Sequence, residues 1–226
     1  MIISPSQPME PVMTQTLLLL FHPDSNRSKA NAALVRAAAP LPGVEVVDMS
    51  AACPQGLDLL REREAARLLA ADRIVLQFPM QWYSSPPLLK AWQDAVLTRM
   101  FYIAYEAEGR RLEGTPVMVA ITAGNTVEAY TSGGRNLYTM SDLLAPLRAT
   151  AHRCGLQWSE PFVLYQADKL APDELEKAAA NYAEHLTRWI ESPTPLAKTL
   201  NAAAPGGSIT SAFLNTGYAG EGLSKA

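Results

Sequence analysis

The sequence predicts an α/β fold, a doubly wound, five-stranded parallel sheet in the order 2-1-3-4-5 with helices on both faces. Three observations carry this expectation. Short apolar runs of strand length alternate along the chain with segments of helical pattern. The runs are rich in Val, Ile and Leu without strict alternation, as strands covered on both faces are. The segments between them are long enough for helices, and right-handed crossovers of that kind place helices on both sides of a sheet.

In chain order, the apolar run 16–21 is the first strand, and His22-Pro-Asp-Ser-Asn-Arg-Ser-Lys-Ala-Asn31 turns into a strongly helix-forming stretch at 32–39. Pro40 and Pro42-Gly43 stop that helix, and Val44-Glu-Val-Val-Asp48 is the second strand. Residues 50–57 read as loop, and the charged, Leu-rich segment 58–71 as an amphipathic helix. The third strand, 73–78, is broken by Pro79, which removes a backbone donor; the aromatic loop Met80-Gln-Trp-Tyr-Ser-Ser85 follows. Pro86-Pro87 suit the first turn of a helix running to Met100. Phe101 to Gly114 reads as an irregular insertion over the loop face, and Pro116-Val-Met-Val-Ala-Ile121 as the fourth strand. After a long connection, a helix is expected over 140–154, capped by Ser141 and kinked at Pro146. The last strand spans 158–165 and the last helix 172–190. This alternation argues flavodoxin-like strand order.

Residues 1–13 read as a flexible leader, 14–191 as one domain, and 192–226, rich in Ala, Gly, Ser, Thr and Pro, as a flexible tail or an arm. At 226 residues and 48% hydrophobic content the chain can close a sizeable core. A net charge of −3 gives no electrostatic case for nucleic acid or an anionic membrane surface. The two cysteines, Cys53 and Cys154, lack metal-ligand spacing and read as reduced thiols of a cytoplasmic protein without a disulfide. No metal site is expected. The N-terminus has no charged n-region before an apolar core, and no apolar run is long enough to span a bilayer.

Three strand-end loops carry the candidate chemistry. At 22–31, a helix amino end preceded by Ser25, Asn26, Ser28 and Asn31, with Arg27 and Lys29 nearby, offers free N–H groups and donors to a phosphate. Simple N-capping by Ser25 or Ser28 explains the same residues. The chain has neither Gly-x-x-x-x-Gly-Lys nor Gly-x-Gly-x-x-Gly. Trp82 and Tyr83 suit a flat heteroaromatic ligand, or else cap a core or form a subunit interface. The third loop, Thr122-Ala-Gly-Asn125, has small residues that let backbone amides come close to a ligand. In this strand order the three loops are neighbours at the switch point, and a mononucleotide with one phosphate and a flat ring fits there. A phosphoacceptor receiver of the same topology needs an acidic cluster after the first strand, and only Asp24 is there.

His22-Pro23, Ser28-Lys-Ala-Asn31, Phe78-Pro-Met-Gln-Trp-Tyr83 with Pro86-Pro-Leu-Leu-Lys90, and Ile121-Thr122 together resemble the quinone reductase branch of the flavodoxin-like superfamily. Within it they resemble the small ancillary flavoproteins of bacterial glutathione-gated potassium efflux antiporters. The resemblance spans about residues 16–190, and Pro79-Met-Gln-Trp82 is its most specific part. It implies a non-covalent flavin, FMN rather than FAD, reduced by NADPH or NADH and reoxidised by a quinone in ping-pong fashion on a homodimer. By position, flavin contacts fall on His22, Ser28, Lys29, Ala30, Asn31, Pro79, Met80, Gln81, Trp82, Thr122, Ala123, Gly124 and Asn125. Tyr83 would pack with Trp82 along the ring, and backbone N–H groups of Gln81-Trp82 and Gly124-Asn125 would face its pyrimidine edge. Tyr130 falls where such reductases place a hydroxyl for proton transfer; a surface tyrosine is the alternative.

One departure stands out. The family pattern Thr-Gly-Gly is here Thr122-Ala123-Gly124, and if positive φ is needed at the first glycine, Ala123 carries strain of about 1 kcal/mol or more. The segments 128–130 and 136–142 resemble a sister subset of ancillary subunits that also departs from the glycine pattern in this loop, while Gln81-Trp82 resembles the flavin-binding subset. The alternative function is therefore a regulatory subunit of a potassium efflux antiporter with weak or absent catalysis, which would place the protein at the inner membrane through its partner. His152 and His185 are expected to be structural.

Overall fold

The computed structural model describes residues 14–52 and 60–193. The expected leader, most of the expected tail and Cys53 lie outside the described residues.

β1 (Thr16–Leu20), β2 (Val44–Asp48), β3 (Arg73–Pro79) and β4 (Pro116–Thr122) are all parallel, and the sheet order is 2-1-3-4-5. The expected last strand is two pieces, β5 (Gln157–Trp158) and β6 (Phe162–Leu164), both paired with β4. Ser159-Glu-Pro161 separates them, and Pro161, lacking an N–H, cannot donate to the ladder.

Side chains alternate between two cores, as the period of a strand requires. Leu17, Leu19, Ile74, Leu76, Phe78, Val119 and Ile121 face one layer, which packs on α3 (Arg61–Ala70), α4 (Pro87–Trp92) and α7 (Ala145–Arg153). Leu18, Leu20, Val75, Met118 and Ala120 face the other, which packs on α1 (Lys29–Ala38) and α8 (Pro172–Glu191). Both faces are dry, which is why these strands are continuously apolar in sequence.

The connections depart from expectation in three places. A short α2 (Met49–Ala52) occupies the start of the expected 50–57 loop. After α4 the chain coils on through wide π-helical turns at Gln93–Leu97, Arg99–Ile103 and Tyr105–Gly109 into α5 (Arg110–Leu112). The expected irregular insertion is thus mostly helical. Gly109 permits it, because a Cβ there would lie 2.5 Å from the Met100 carbonyl oxygen. The expected 140–154 helix is two, α6 (Met140–Leu143) and α7, because Pro146 sits in the first turn of α7, where a missing N–H costs nothing. Its cap is Thr139 rather than Ser141: the Thr139 hydroxyl accepts from the Asp142 N–H at 3.1 Å, and the Asp142 carboxylate accepts from the Thr139 N–H at 2.9 Å. Among the described residues no helix is long and apolar enough to cross a membrane.

Candidate functional site

Parallel strands end at one rim, and the register aligns them there: Leu20 lies beside Gln77 and Asp48, and Pro79 beside Thr122. The loops after β1, β3 and β4 therefore meet. A cleft of ≈ 450 Å³ opens between them, walled by His22, Ser28 to Asn31, Pro79, Met80 and Thr122 to Gly124. A second, of ≈ 390 Å³, is walled by Met80, Trp82, Tyr83, Gly124, Asn125 and Tyr130. Met80 and Gly124 belong to both, so the two are contiguous. Each volume falls in the range of roughly 300–1,000 Å³ usual for small-molecule sites.

At the first cleft, Ser28 caps α1, its hydroxyl accepting from the Asn31 N–H at 3.2 Å. The Ser28 oxygen is thus already engaged, as the capping alternative held. The Asn31 side chain is also not a phosphate donor, correcting the expectation. It is 1% exposed and turned inward, donating through Nδ2 to the Thr122 hydroxyl at 2.9 Å and accepting from Gln77 Nε2 at 3.2 Å. The N–H groups of Lys29 and Ala30 have no partner among the described residues, and the amino-end dipole of α1 adds to them. Those two amides, with the exposed Lys29 and Arg27, are what this end offers an anion.

His22 accepts from the Asp24 N–H through Nδ1 at 3.0 Å. Burial lowers its pKa, opposed by the nearby Asp24 and Asp48 carboxylates, so the ring is neutral at pH 7 and carries its proton on Nε2. For Asp48, burial acts upward, but hydrogen bonds from Ser25, Ser50 and Ala51 outweigh it and hold the carboxyl below its usual range.

At the second cleft, Gln81 and Ser84 exchange backbone hydrogen bonds of 2.9 Å, closing a two-residue turn. Its central residues, Trp82 and Tyr83, have φ of 47° and 64°. That pair of positive φ values belongs to a type I′ turn, where Asn-Gly is usual, and each costs on the order of 1–3 kcal/mol for other side chains. Gln81 departs from expectation: its N–H is taken by Ser84, and it lines neither cleft. Trp82 is 94% exposed, so its ring stands free of packing among the described residues. Tyr130 is no surface residue, since it is 9% exposed with its ring 5.7 Å from Tyr165, and burial raises its pKa.

The expected strain at Ala123 is absent. Its φ is not positive; its N–H donates to the Leu164 carbonyl at 2.8 Å and its carbonyl accepts from the Ala167 N–H at 3.0 Å. A backbone bonded to β6 with φ outside the left-handed region is compatible with a side chain. Gly124 next to it is tight: a Cβ would lie 3.3 Å from Asp168 Oδ1. The N–H groups of Trp82, Gly124 and Asn125 have no partner among the described residues.

Sequence reasoning missed the loop after β6. Asp168 lines the first cleft and Lys169 the second, and with them Arg135 and the buried Asn136, whose Nδ2 has no partner among the described residues. The topology rule that strand ends hold ligands extends to this fifth loop. Arg135 and Asn136 had no signal in composition or spacing. Cys154 is buried and free, its thiol pushed up to about 11 by burial, and His185 packs on Phe162 with its pKa lowered by burial. Among the described residues no three His, Cys, Asp or Glu are placed to hold a metal ion.

With this geometry in view, the model of a family described as having a flavodoxin-like fold matches residues 14–186. The chain belongs to this flavodoxin-like family. Among its relatives, the glutathione-regulated potassium-efflux system ancillary protein KefG of Enterobacter sp. (strain 638) is 39% identical over 81% of this chain and 98% of its own length. A general stress protein 14 from Treponema denticola, solved in complex with FMN, is 28% identical with a TM-score of 0.68, over 79% of this chain and 98% of its own. An NADPH-quinone reductase from P. pentosaceus is 28% identical with a TM-score of 0.65, over 76% and 97%. The flavodoxin-like chain thus has relatives named for reductase chemistry and for potassium efflux.

The residues fit FMN. Free amides and cations at the α1 amino end suit its phosphate, and the aromatic turn beside free Gly124 and Asn125 amides suits its flat, hydrogen-bonding ring.

Proposed function

We propose that this protein is an FMN-dependent NAD(P)H:quinone oxidoreductase working by ping-pong hydride transfer. The observation that carries this is the continuity of the two clefts through Met80 and Gly124, one ending at a helix amino terminus and the other at an aromatic turn. FMN supplies the hydride chemistry when bound, and the chain's own groups bind and orient it.

In this reading Lys29 and Ala30 hold the phosphate through their N–H groups, and His22 donates from Nε2. Pro79, Met80, Thr122 and Ala123 wall the passage between phosphate and ring; Ser28, whose oxygen caps α1, keeps its hydroxyl hydrogen to donate, and the inward-turned Asn31 side chain holds the loop in place. Trp82 and Tyr83 cover the ring. Gly124 and Asn125 offer their N–H groups to its polar edge, where charge develops. Tyr130 keeps its proton at pH 7, because burial raises its pKa, and serves as the proton donor beside the ring. A homodimer completes the site by covering the exposed Trp82.

The test is a spectrum followed by a titration. Purified protein is expected to be yellow or to take up FMN stoichiometrically, and then to oxidise NAD(P)H faster when a quinone is added. A colourless protein that binds no FMN sinks this reading.

A second reading has its own support in the relative named as an ancillary potassium-efflux protein, which this chain matches over nearly its whole length. The protein would then dock on a membrane antiporter, with or without turnover. Reconstituted potassium flux that responds to added protein but not to loss of FMN would favour docking without catalysis.

A further inference from the structure

Gln77 stands in the middle of β3 at 0% exposure, between Leu76 and Phe78, in a sheet whose faces are otherwise almost wholly apolar. A primary amide buried there is costly unless each of its polar atoms is paired. All of them are. Nε2 donates to the Asn31 main-chain carbonyl at 3.1 Å and to Asn31 Oδ1 at 3.2 Å, while Oε1 accepts from the Tyr182 hydroxyl at 3.4 Å.

The network has one consistent orientation. The Asn31 main-chain oxygen can only accept, so Nε2 must face it, leaving Oε1 for Tyr182. Tyr182, on α8, is fully buried, and burial raises its pKa so that it remains a donor. Asn31 in turn donates to the Thr122 hydroxyl at 2.9 Å, and the Thr122 carbonyl accepts from the Met80 N–H at 2.8 Å. A single chain of buried bonds therefore runs from α8 through β3 to the third residue of α1, then across to the loops after β4 and β3. Asn31 lies directly after Lys29 and Ala30, the two residues whose amides are free.

We infer that Gln77 and Tyr182 are positioning residues, which set the height of the α1 amino end against the rest of the cleft and so make it prefer a phosphorylated flavin. Neither touches the cleft. Gln77 grips Asn31 by main chain and side chain together, so α1 can neither slide along its axis nor rotate without breaking a buried bond. An apolar residue at 77 would still pack in the core but would leave α1 held by packing alone, which specifies register less sharply. The inference rests on the proposal that the cleft binds FMN.

The experiment compares FMN with riboflavin, which lacks the phosphate, by fluorescence quenching on the full chain. Wild type is expected to bind FMN the more tightly. Gln77→Met is expected to narrow that preference about tenfold, or about 1.4 kcal/mol, and Tyr182→Phe about threefold, with riboflavin affinity unchanged in both. Leu186→Ala, which empties part of the same core without touching the network, is the control for lost stability, and its preference should match wild type. If Gln77→Met and Tyr182→Phe keep the wild-type preference, or shift it no more than Leu186→Ala does, the positioning role is overturned while FMN binding stands. If wild type binds neither flavin, or binds both equally, the phosphate site itself is wrong and the inference goes with it. Should Gln77→Met fail to fold, Tyr182→Phe, which removes a single hydroxyl, decides alone.

Discussion

The two ends of the cleft are built by opposite means. At the α1 end every buried polar side chain is paired, Asn31 with Thr122 and Gln77, and Gln77 with Tyr182, so the backbone that presents free amides is rigidly held. At the aromatic end the turn carries two side chains at positive φ, Trp82 is 94% exposed, and Asn136 has a buried amide nitrogen without a partner among the described residues. The first end is finished without a ligand. The second holds strain and unpaired groups, which in the proposed reading a bound ring and a second subunit would cover. At the α1 end, then, buried side chains hold the backbone while its free amides face the cleft; at the aromatic end the strained turn and its side chains themselves line it.

The sharpest way to break that division is Asn31→Ala. It leaves the Thr122 hydroxyl and one Gln77 bond without their partner inside the core, and is expected to cost about 2 kcal/mol of stability. Denaturant unfolding measures it; a loss under half of that would mean the α1 end is not held as described. Trp82→Ala is the converse. Because the side chain is exposed in the chain itself, unfolding should be unchanged, whereas FMN affinity should fall about tenfold, or 1.4 kcal/mol. Unchanged affinity would remove Trp82 from the ring site.

Ala123→Gly separates the structural from the sequence expectation. If Ala123 were strained, glycine would tighten FMN binding and raise stability. With its ordinary backbone and a methyl only 1% exposed, the change should instead cost about 1 kcal/mol of stability and leave FMN affinity unimproved.

The smallest effect is a pH dependence at the α1 end. The folded-state pKa of His22 is depressed below its ordinary 6.5, so the unfolded chain takes up this proton first. Its contribution is therefore whole above about pH 6.5 and declines as pH falls through the folded value. Thermal melts from neutral to mildly acidic pH should lose stability less steeply in His22→Gln than in wild type, by under about 1 kcal/mol. Equal slopes would show that His22 is as readily protonated in the folded chain as in the unfolded one.

Much of this was legible in the chain. Continuous apolar runs imply strands buried on both faces, and parallel strands joined by helices must end at a common rim, so the meeting of the 22–31, 79–83 and 122–125 loops followed from pattern and topology alone. The Pro-Met-Gln-Trp segment also marked the aromatic turn, although Gln81 proved to be spent on closing it. The direction of a polar side chain was not legible. Asn31 looks the same in sequence whether it faces a phosphate or the core. What turns it inward is Gln77, 46 positions away, and behind that Tyr182, 105 positions further on.

Local sequence determined the elements, because strand and helix periods are properties of neighbouring residues. It also determined the rim at which they end, because right-handed crossovers leave few topologies. Only the tertiary structure decided which groups at that rim are spent and which remain free, that Ala123 is relaxed while Trp82 and Tyr83 are strained, and that the loop after β6 joins the wall. Those outcomes depend on hydrogen bonds and contacts between residues far apart in the chain, whose pairing appears only once the sheet has brought them together.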